Sequence, residues 1–587
     1  MDVLVIGVLG VLAIVLAAQA SGRLGVAAPL LLVVLGIGVS LLPFVGDIEV
    51  EPEWIIAGVL PPLLYSAAVS MPTMEFRRDF RSIAGLSVIL VVLSSVLLGF
   101  LFAWLIPGLG LAAGIALGAI VSPTDAVATS IVKKLGVSPR IVAVLEGESL
   151  LNDATALVLL RSAIAATAAT VTFWGVLGDF AYAVAVAAVI GIAVGWLNLR
   201  LRHRVKDAAV NTAISFTIPF IASVPAEALG ASGLVAAVAA GIVTGAGAAR
   251  WLTPSHRFSD AQNWRTIELL LEGAVFLVMG LELSTILDDA RSDGDVLWKA
   301  VWIGLVALVA TVLIRAAYVG PLLQGLARSA KRKAARTQQF GAIQDRIDQM
   351  EAGSPAVGDG PNEDNPLRSR GIPPGDPTRM EDRPIPKLRP GDAQRFRDRV
   401  VRYVADVDYM QAEPLGVKQG AVVVWAGMRG VVTLAAAQTL PQGTESRSLL
   451  VLIAFVVAAS SLLIQGGTLG WLARRLGLTG IGVNLEERER LSAELGEVSM
   501  KVFTDKGIDP REMMRRPDDD TGSDVPDPKP DFQRVRAMRV EMIEAQRVRL
   551  LELQKTGTYS SAALTWALQS LDADQISMEL HAPDAGE

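Results

Sequence analysis

Five ionisable residues stand inside apolar stretches of the chain: Asp125, Glu148, Asp153, Glu272 and Arg429. An ionised side chain within hydrocarbon is costly enough that each is a functional candidate by default. Asp125 ends the run Ser122-Pro123-Thr124-Asp125. Proline removes a backbone donor and clashes with the preceding turn, so a helix breaks here. A broken helix exposes carbonyls and amide ends that bind ions at mid-membrane depth. The plainer alternative is a proline kink with Asp125 capping the next helix, and the two readings are compatible. Arg161 and Arg315 fall near the ends of their apolar runs, where a long side chain reaches the interface.

A second run reads Glu146-Gly147-Glu148-Ser149-Leu150-Leu151-Asn152-Asp153. On a helix, Ser149 and Asp153 share one face, and Glu148 and Asn152 share the adjacent one. This strip of oxygens suits a hard cation such as sodium. The alternative is a polar contact between helices. Arg429 lies in Trp425-Ala426-Gly427-Met428-Arg429-Gly430-Val431-Val432-Thr433. It requires a buried anion, with Glu148 the first choice and Asp125 the second. A purely structural ion pair is the competing account. Glu272 reads as a second structural partner for a buried base.

The elements that carry these residues must cross a membrane. Apolar residues make up 52% of the 587 positions and charged residues only 19%, against about 25% charged in soluble domains. Mean hydropathy is +0.45. Ser82–Ile106 and Leu111–Val121 contain no charge. Spanning a ~30 Å hydrocarbon core takes about 20 apolar residues. The chain has no cysteine, which excludes disulfides, thiolate metal sites and cysteine nucleophiles. His203, His256 and His581 fall in loop or tail contexts. A net charge of −6 does not fit a nucleic-acid binder.

Thirteen spans are expected, near 2–20, 25–45, 53–70, 82–106, 110–132, 141–165, 174–199, 208–226, 231–248, 265–285, 298–322, 417–440 and 448–472. They divide the chain into a membrane domain at 1–323, a polar insert at 324–416, two last spans within 417–475 and a polar tail at 476–587. The first span ends in a cleavage-like Ala-Gln-Ala but lacks a basic stretch before it, so it reads as a retained helix. One set of alternate loops holds Arg23, then Arg77, Arg78 and Arg81, then Lys133, Lys134 and Arg140, then Arg200 to Lys206, then Arg250, Arg257 and Arg265. The other set holds only Arg291, Lys299 and Arg447, with acids such as Asp47, Glu49, Asp288 and Asp289. Basic loops stay cytoplasmic. The N-terminus is therefore expected outside, and the insert and tail inside.

Within the insert, Lys331-Arg332-Lys333 reads as a positive-inside flank, and Gly353–Arg389 as a disordered stretch. In the tail, Asp531–Lys555 is expected to form an amphipathic helix and Ser560 to about Leu580 a second, with a linker at Asp518–Pro530. The spans also divide as six, a linker span and six. That sets Thr124-Asp125-Ala126-Val127 against Met428-Arg429-Gly430-Val431, an acid in one repeat opposite a base in the other. Inverted repeats with broken helices are a transporter architecture.

These segments resemble the monovalent cation:proton antiporter-1 family. The matching runs are Leu60-Pro61-Pro62-Leu63-Leu64-Tyr65, Ser122 to Asp125, Glu146 to Asp153, Glu272 to Gly280 and Trp425 to Thr433, in the family's order. Arg547–Ala563 is similar to the tails of bacterial members, and the long insert is a departure. The resemblance implies an all-α membrane protein of about thirteen helices in two inverted six-helix repeats with broken helices, a helical cytoplasmic tail, and a homodimer whose mobile core moves as an elevator. It implies that Asp153 alternates between cation and proton, that Ser149 and Thr124 add oxygens, and that Glu148 acts through water or through Arg429. Asn152 in place of a second acid resembles the electroneutral branch, with Asp125 and Glu272 in support.

The function expected is exchange of a monovalent cation, sodium foremost, for a proton across the plasma membrane. No cofactor is implied beyond the transported ions. A potassium/proton antiporter is the alternative. A cation channel lacks an evident filter loop, and an organic-solute symporter lacks an aromatic pocket, with 6% aromatic residues. An intramembrane enzyme lacks a nucleophile–histidine pair.

Overall fold

The computed structural model describes residues 3–42, 51–168, 172–291, 296–351, 390–480, 485–506 and 532–580. All regular structure in these residues is helical. The first helices are α1 (Val3–Leu24), α2 (Ala28–Ser40), α3 (Trp54–Ser70) and α4 (Thr73–Leu105). Next come α5 (Leu111–Val121) and α6 (Val127–Lys134), then α7 (Pro139–Ala168), α8 (Phe173–Arg202), α9 (Ala208–Ala228), α10 (Gly233–Trp251) and α11 (Pro254–Leu281). After α12 (Leu283–Arg291) and α13 (Val296–Glu351) follow α14 (Pro390–Ala412), α15 (Val417–Trp425), α16 (Val431–Gln438) and α17 (Arg447–Arg475). The tail supplies α18 (Leu485–Lys506), α19 (Phe532–Thr556) and α20 (Ser561–Leu580).

Nine helices among the described residues are long and apolar enough to cross a membrane, and α2, α3 and α5 are shorter apolar helices. The chain is a multi-pass membrane protein. The described residues of the expected spans are largely helical, with three shifts of boundary. Residues 73–81, read as a loop, form the first turns of α4, because Glu75, Asp79 and Ser82 recur on one helical face and are buried. α11 begins at Pro254 rather than near 265, with Thr253 capping the His256 amide. α13 runs on from the expected span to Glu351. The stretches 353–389 and 518–530 lie outside the described residues.

Two breaks interrupt apolar helices. One spans 122–126 between α5 and α6, around Pro123, and the other spans 426–430 between α15 and α16, between Gly427 and Gly430. Helices group by packing. α8 lies on α10, and α10 also on α3 and α9, around a core of Tyr65, Ile218, Ala222, Ala236 and Trp264. α11 packs along α2 and against α1 and α9. There a Cβ on Gly36 would lie 2.6 Å from the Leu277 carbonyl oxygen, so the two backbones touch. α4 packs along α5 and α7, α5 lies against α7, and α16 against α17. The described parts of 1–324, 415–551 and 559–587 form one compact unit. Residues 325–414 and 552–558 form a second, in which Arg402 Nε donates to the Lys555 carbonyl at 3.0 Å.

His256 is not in a loop. It is 3% exposed near the start of α11, with Nε2 3.2 Å from the Lys206 carbonyl and Nδ1 3.3 Å from the Asn211 amide.

Candidate ion site

The two helix breaks cross. The Asp125 amide donates to the Met428 carbonyl at 2.7 Å, joining one interrupted backbone to the other. Asp125 Oδ1 accepts from the Val127 amide at 2.9 Å, and the Val431 amide also bonds its carboxylate. The acid therefore sits at the N-terminal ends of both α6 and α16, where the helix dipoles are positive. Gly430 makes room for it, since a Cβ there would fall on the carboxylate.

Arg429 takes the complementary position. Its Nε donates to the Val121 carbonyl at 2.9 Å, at the C-terminal and negative end of α5, and Nη1 donates to the Gly427 carbonyl. Its amide donates to Ser461 Oγ at 2.9 Å. Ser461 in turn donates to Gln465 Oε1 at 2.5 Å, and Gln465 donates to the Trp425 carbonyl at 3.2 Å.

Glu148 does not pair with Arg429. It pairs with Arg315 of α13, whose Nη2 lies 2.7 Å from Oε2 and whose Nη1 holds Oε1. Arg315 Nε donates to the Val423 carbonyl at 3.0 Å. Both side chains are 2% exposed. Arg315 therefore does not reach for an interface. The helix continues well beyond the expected span end, which puts Arg315 at the middle of the apolar segment Val296–Lys333. The basic run at Lys331 to Lys333 is the signal that could have shown this.

Thr124 joins the broken helix to α7. Its Oγ1 donates to Glu148 Oε1 at 3.3 Å and accepts from Asn152 Nδ2 at 2.5 Å, while Asn152 also reaches the Thr124 carbonyl at 3.3 Å. The Ser87 hydroxyl of α4 donates to the Glu148 carbonyl at 3.1 Å. Asp153 is 6% exposed, and its Oδ1 has no hydrogen-bond partner among the described residues. Ser149, one turn earlier on α7, is also buried. Asp125 is close enough to act on Asp153 electrostatically. A small cavity nearby is lined by Ser94, Ser122, Glu148, Thr311, Arg315 and Arg429, with Ser94 and Ser122 hydroxyls 2.5 Å apart.

Glu272 has neither Arg315 nor Arg429 among the charges that act on it. Those charges are Asp125, Glu268 and Lys134, and the base among them, Lys134, is exposed rather than buried as expected. Glu146 makes an ion pair with Lys133. Two further pairs escaped the sequence because their members looked like loop charges. Asp79 and Arg140 are both buried with Nη2 and Oδ1 2.8 Å apart, and buried Arg202 donates to Asn211 Oδ1 at 2.7 Å and to Asp260.

With this arrangement in place, comparisons with known proteins point one way. A family profile described as "Sodium/hydrogen exchanger, transmembrane" matches residues 10–344. The uncharacterized Na(+)/H(+) exchanger YjcE of Escherichia coli K12 is 35% identical over 277 residues, 46% of this chain and 50% of its own length. The uncharacterized Na(+)/H(+) exchanger Mb2309 of Mycobacterium bovis is 27% identical over 488 residues, 81% of this chain and 75% of its own. This chain thus spans half the length of the first relative and three quarters of the second. The structure of the sodium proton antiporter MjNhaP1 from Methanocaldococcus jannaschii at pH 8 aligns with a TM-score of 0.53 at 15% identity, over 81% of this chain and 99% of that one, a likeness of fold. Since the profile takes in more than half of the sequence, the chain belongs to the transmembrane sodium/hydrogen exchanger family.

Proposed function

We propose that this protein exchanges a monovalent cation, sodium foremost, for a proton, both competing for Asp153. The observation that carries the reading is the buried Asp153 oxygen left without a hydrogen bond, on the helix face that also bears Ser149 and next in the chain to Asn152, which bonds Thr124. A carboxylate oxygen removed from water and bonded to nothing is strongly disfavoured unless a proton or cation satisfies it. Two neighbouring acids are already engaged. Asp125 is held by helix N-termini, and Glu148 by Arg315. Asn152 serves as a strut to Thr124 and carries no titratable proton. One carrier group and one charge each way make the exchange electroneutral. The description of the relatives as uncharacterized Na(+)/H(+) exchangers supports sodium as the cation.

In this reading the broken α5–α6 and α15–α16 pairs are two crossings among thirteen. The N-terminus lies outside, and the insert and tail lie in the cytoplasm. The protein works as a homodimer in the plasma membrane, and the helices that hold Asp153 move past the others as an elevator. Proteoliposomes with an imposed pH gradient test the core of it. Addition of sodium, potassium or lithium in turn should dissipate the gradient for at least one cation. Dissipation by none of them rejects the exchange reading, and dissipation by potassium alone replaces sodium.

A further inference from the structure

We infer that α20 is a strap, an intramolecular occupant of a two-point docking surface on α4 and α11, and that its docked state holds back the exchange motion. The inference rests on the exchange reading for its consequence and on geometry for its existence. At one end, Glu75 in the first turn of α4 is 1% exposed. Its Oε1 accepts from the Ser561 amide at 3.0 Å, and its Oε2 accepts from the Ser561 hydroxyl. Glu487 of α18 accepts from the Ser560 amide at 2.6 Å and hydroxyl at 2.9 Å. Two carboxylates thus meet the positive N-terminal end of α20, where negative charge is favoured.

At the other point, Asp572 is gripped by Arg257 of α11, with Nε 2.9 Å from Oδ2 and Nη2 on Oδ1. Arg547 of α19 adds a bond to Oδ1 at 3.1 Å. Burial first, and the nearby Arg257 second, lower the Arg547 guanidinium from the usual arginine range, while Asp572 acts in the opposite sense. Between the two points Ala563, Leu564, Ala567 and Leu571 are buried. The spacing of Ser561 and Asp572 is that of about three helical turns, roughly 16 Å of helix that does not stretch.

The two attachment points lie on differently packed helices. α4 packs along α5 and α7, the helices around Asp153, and its Ser87 bonds the Glu148 carbonyl. α11 packs along α2 and against α1 and α9. Any displacement of the first set past the second changes the distance from Glu75 to Arg257. A rigid helix fixed at both places either blocks that displacement or lets go of one end. An anchor that only kept the tail in place would need one point, and here there are two, each with a buried acid. The occupant is the chain's own residues 561–572.

The native chain has no cysteine, so the strap can be fastened at will in the full-length protein. One thiol pair is Glu75→Cys with Ser561→Cys, the other Arg257→Cys with Asp572→Cys. Each pair is bridged by a short, reducible bis-thiol reagent in proteoliposomes. With one pair bridged, exchange should continue. With both bridged, the initial rate should fall about tenfold or more and return on reduction, as expected when one state is held by two attachments. Asp572→Asn, which loosens one point, should raise the rate about threefold. Undiminished exchange with both bridges closed overturns the strap. Bridges that form between two copies assign α20 to a neighbouring protomer and overturn it as an intramolecular device. Hydrogen exchange provides a readout independent of transport. Asp572→Asn should deprotect the amides of 561–575, and unchanged protection rejects docking through Arg257. Loss of cation–proton exchange in the unaltered protein would instead reject the functional reading alone.

Discussion

Arg315 and Glu148 form a bidentate pair in which both side chains are 2% exposed, with Nη2 and Oε2 2.7 Å apart. Removing one member strands the other charge, which in buried pairs costs about 3–5 kcal/mol. Arg315→Ala should therefore lower folded protein in the membrane sharply, and Glu148→Ala should do so nearly as much. The double neutral variant Arg315→Met with Glu148→Leu should recover a large part of the loss. Thermal melting in detergent measures the cycle. Equal melting temperatures for the double variant and Arg315→Ala would show that the two do not act as a unit.

Asp153→Asn should fold and reach the membrane yet exchange nothing. An amide fills the space but neither takes up nor releases a proton at any working pH. Retention of more than about a tenth of the wild-type rate, a barrier change of only ~1.4 kcal/mol, counts against Asp153 as carrier.

Gly430→Ala should abolish exchange even though the backbone there is extended and accepts any residue (φ −134°). Its methyl group would occupy the place of the Asp125 carboxylate and drive it from the ends of α6 and α16. Gly443→Ala, where an added Cβ meets nothing within 4 Å, is the matched control. Vesicle flux compared at equal protein content decides it, and normal exchange by the Gly430 variant would show that the Asp125 cap is dispensable.

If cation and proton compete for Asp153 as proposed, the pH dependence is fixed as well. Apparent cation affinity should weaken as pH falls, approaching about tenfold per pH unit once the empty site is mostly protonated, by single-proton linkage. Maximal turnover should change much less, and an imposed membrane potential should leave the rate unaltered. Initial rates against cation concentration at several pH values test this. An affinity that ignores pH sinks single-site competition, while strong voltage dependence rejects only the one-for-one stoichiometry.

Much of the site was legible because polar residues inside apolar runs are visible without knowledge of the fold. The Glu146–Asp153 strip, the break at Pro123 and the singular Arg429 all show themselves locally. Pairing does not, because it depends on which helices cross. Arg429 reads as needing an acid, whereas carbonyl oxygens at Val121 and Gly427 serve it. Arg315 reads as terminal only while its helix is taken to stop near 322. The periodic trio Glu75, Asp79 and Ser82 did carry a helical signal, but three arginines beside it at 77, 78 and 81 resembled a topogenic loop. The partner of Glu75 lies 486 residues away, at Ser561, a separation that no local pattern reports.

The unpaired oxygen of Asp153 has one more consequence, for leak. Glu148 cancels Arg315, and helix ends oppose Asp125 and Arg429. Asp153 is then the one charge in the site without a fixed counterpart among these residues. Loaded with either a proton or a monovalent cation, the site is neutral. Empty, it carries a net negative charge, and moving a bare carboxylate through a low-dielectric interior is strongly opposed. If Asp153 is the carrier as proposed, the empty site would be held on whichever side it was unloaded until the other ion arrives. On the proposed exchange, tight coupling would follow from this missing partner, with no separate gate required to stop slippage.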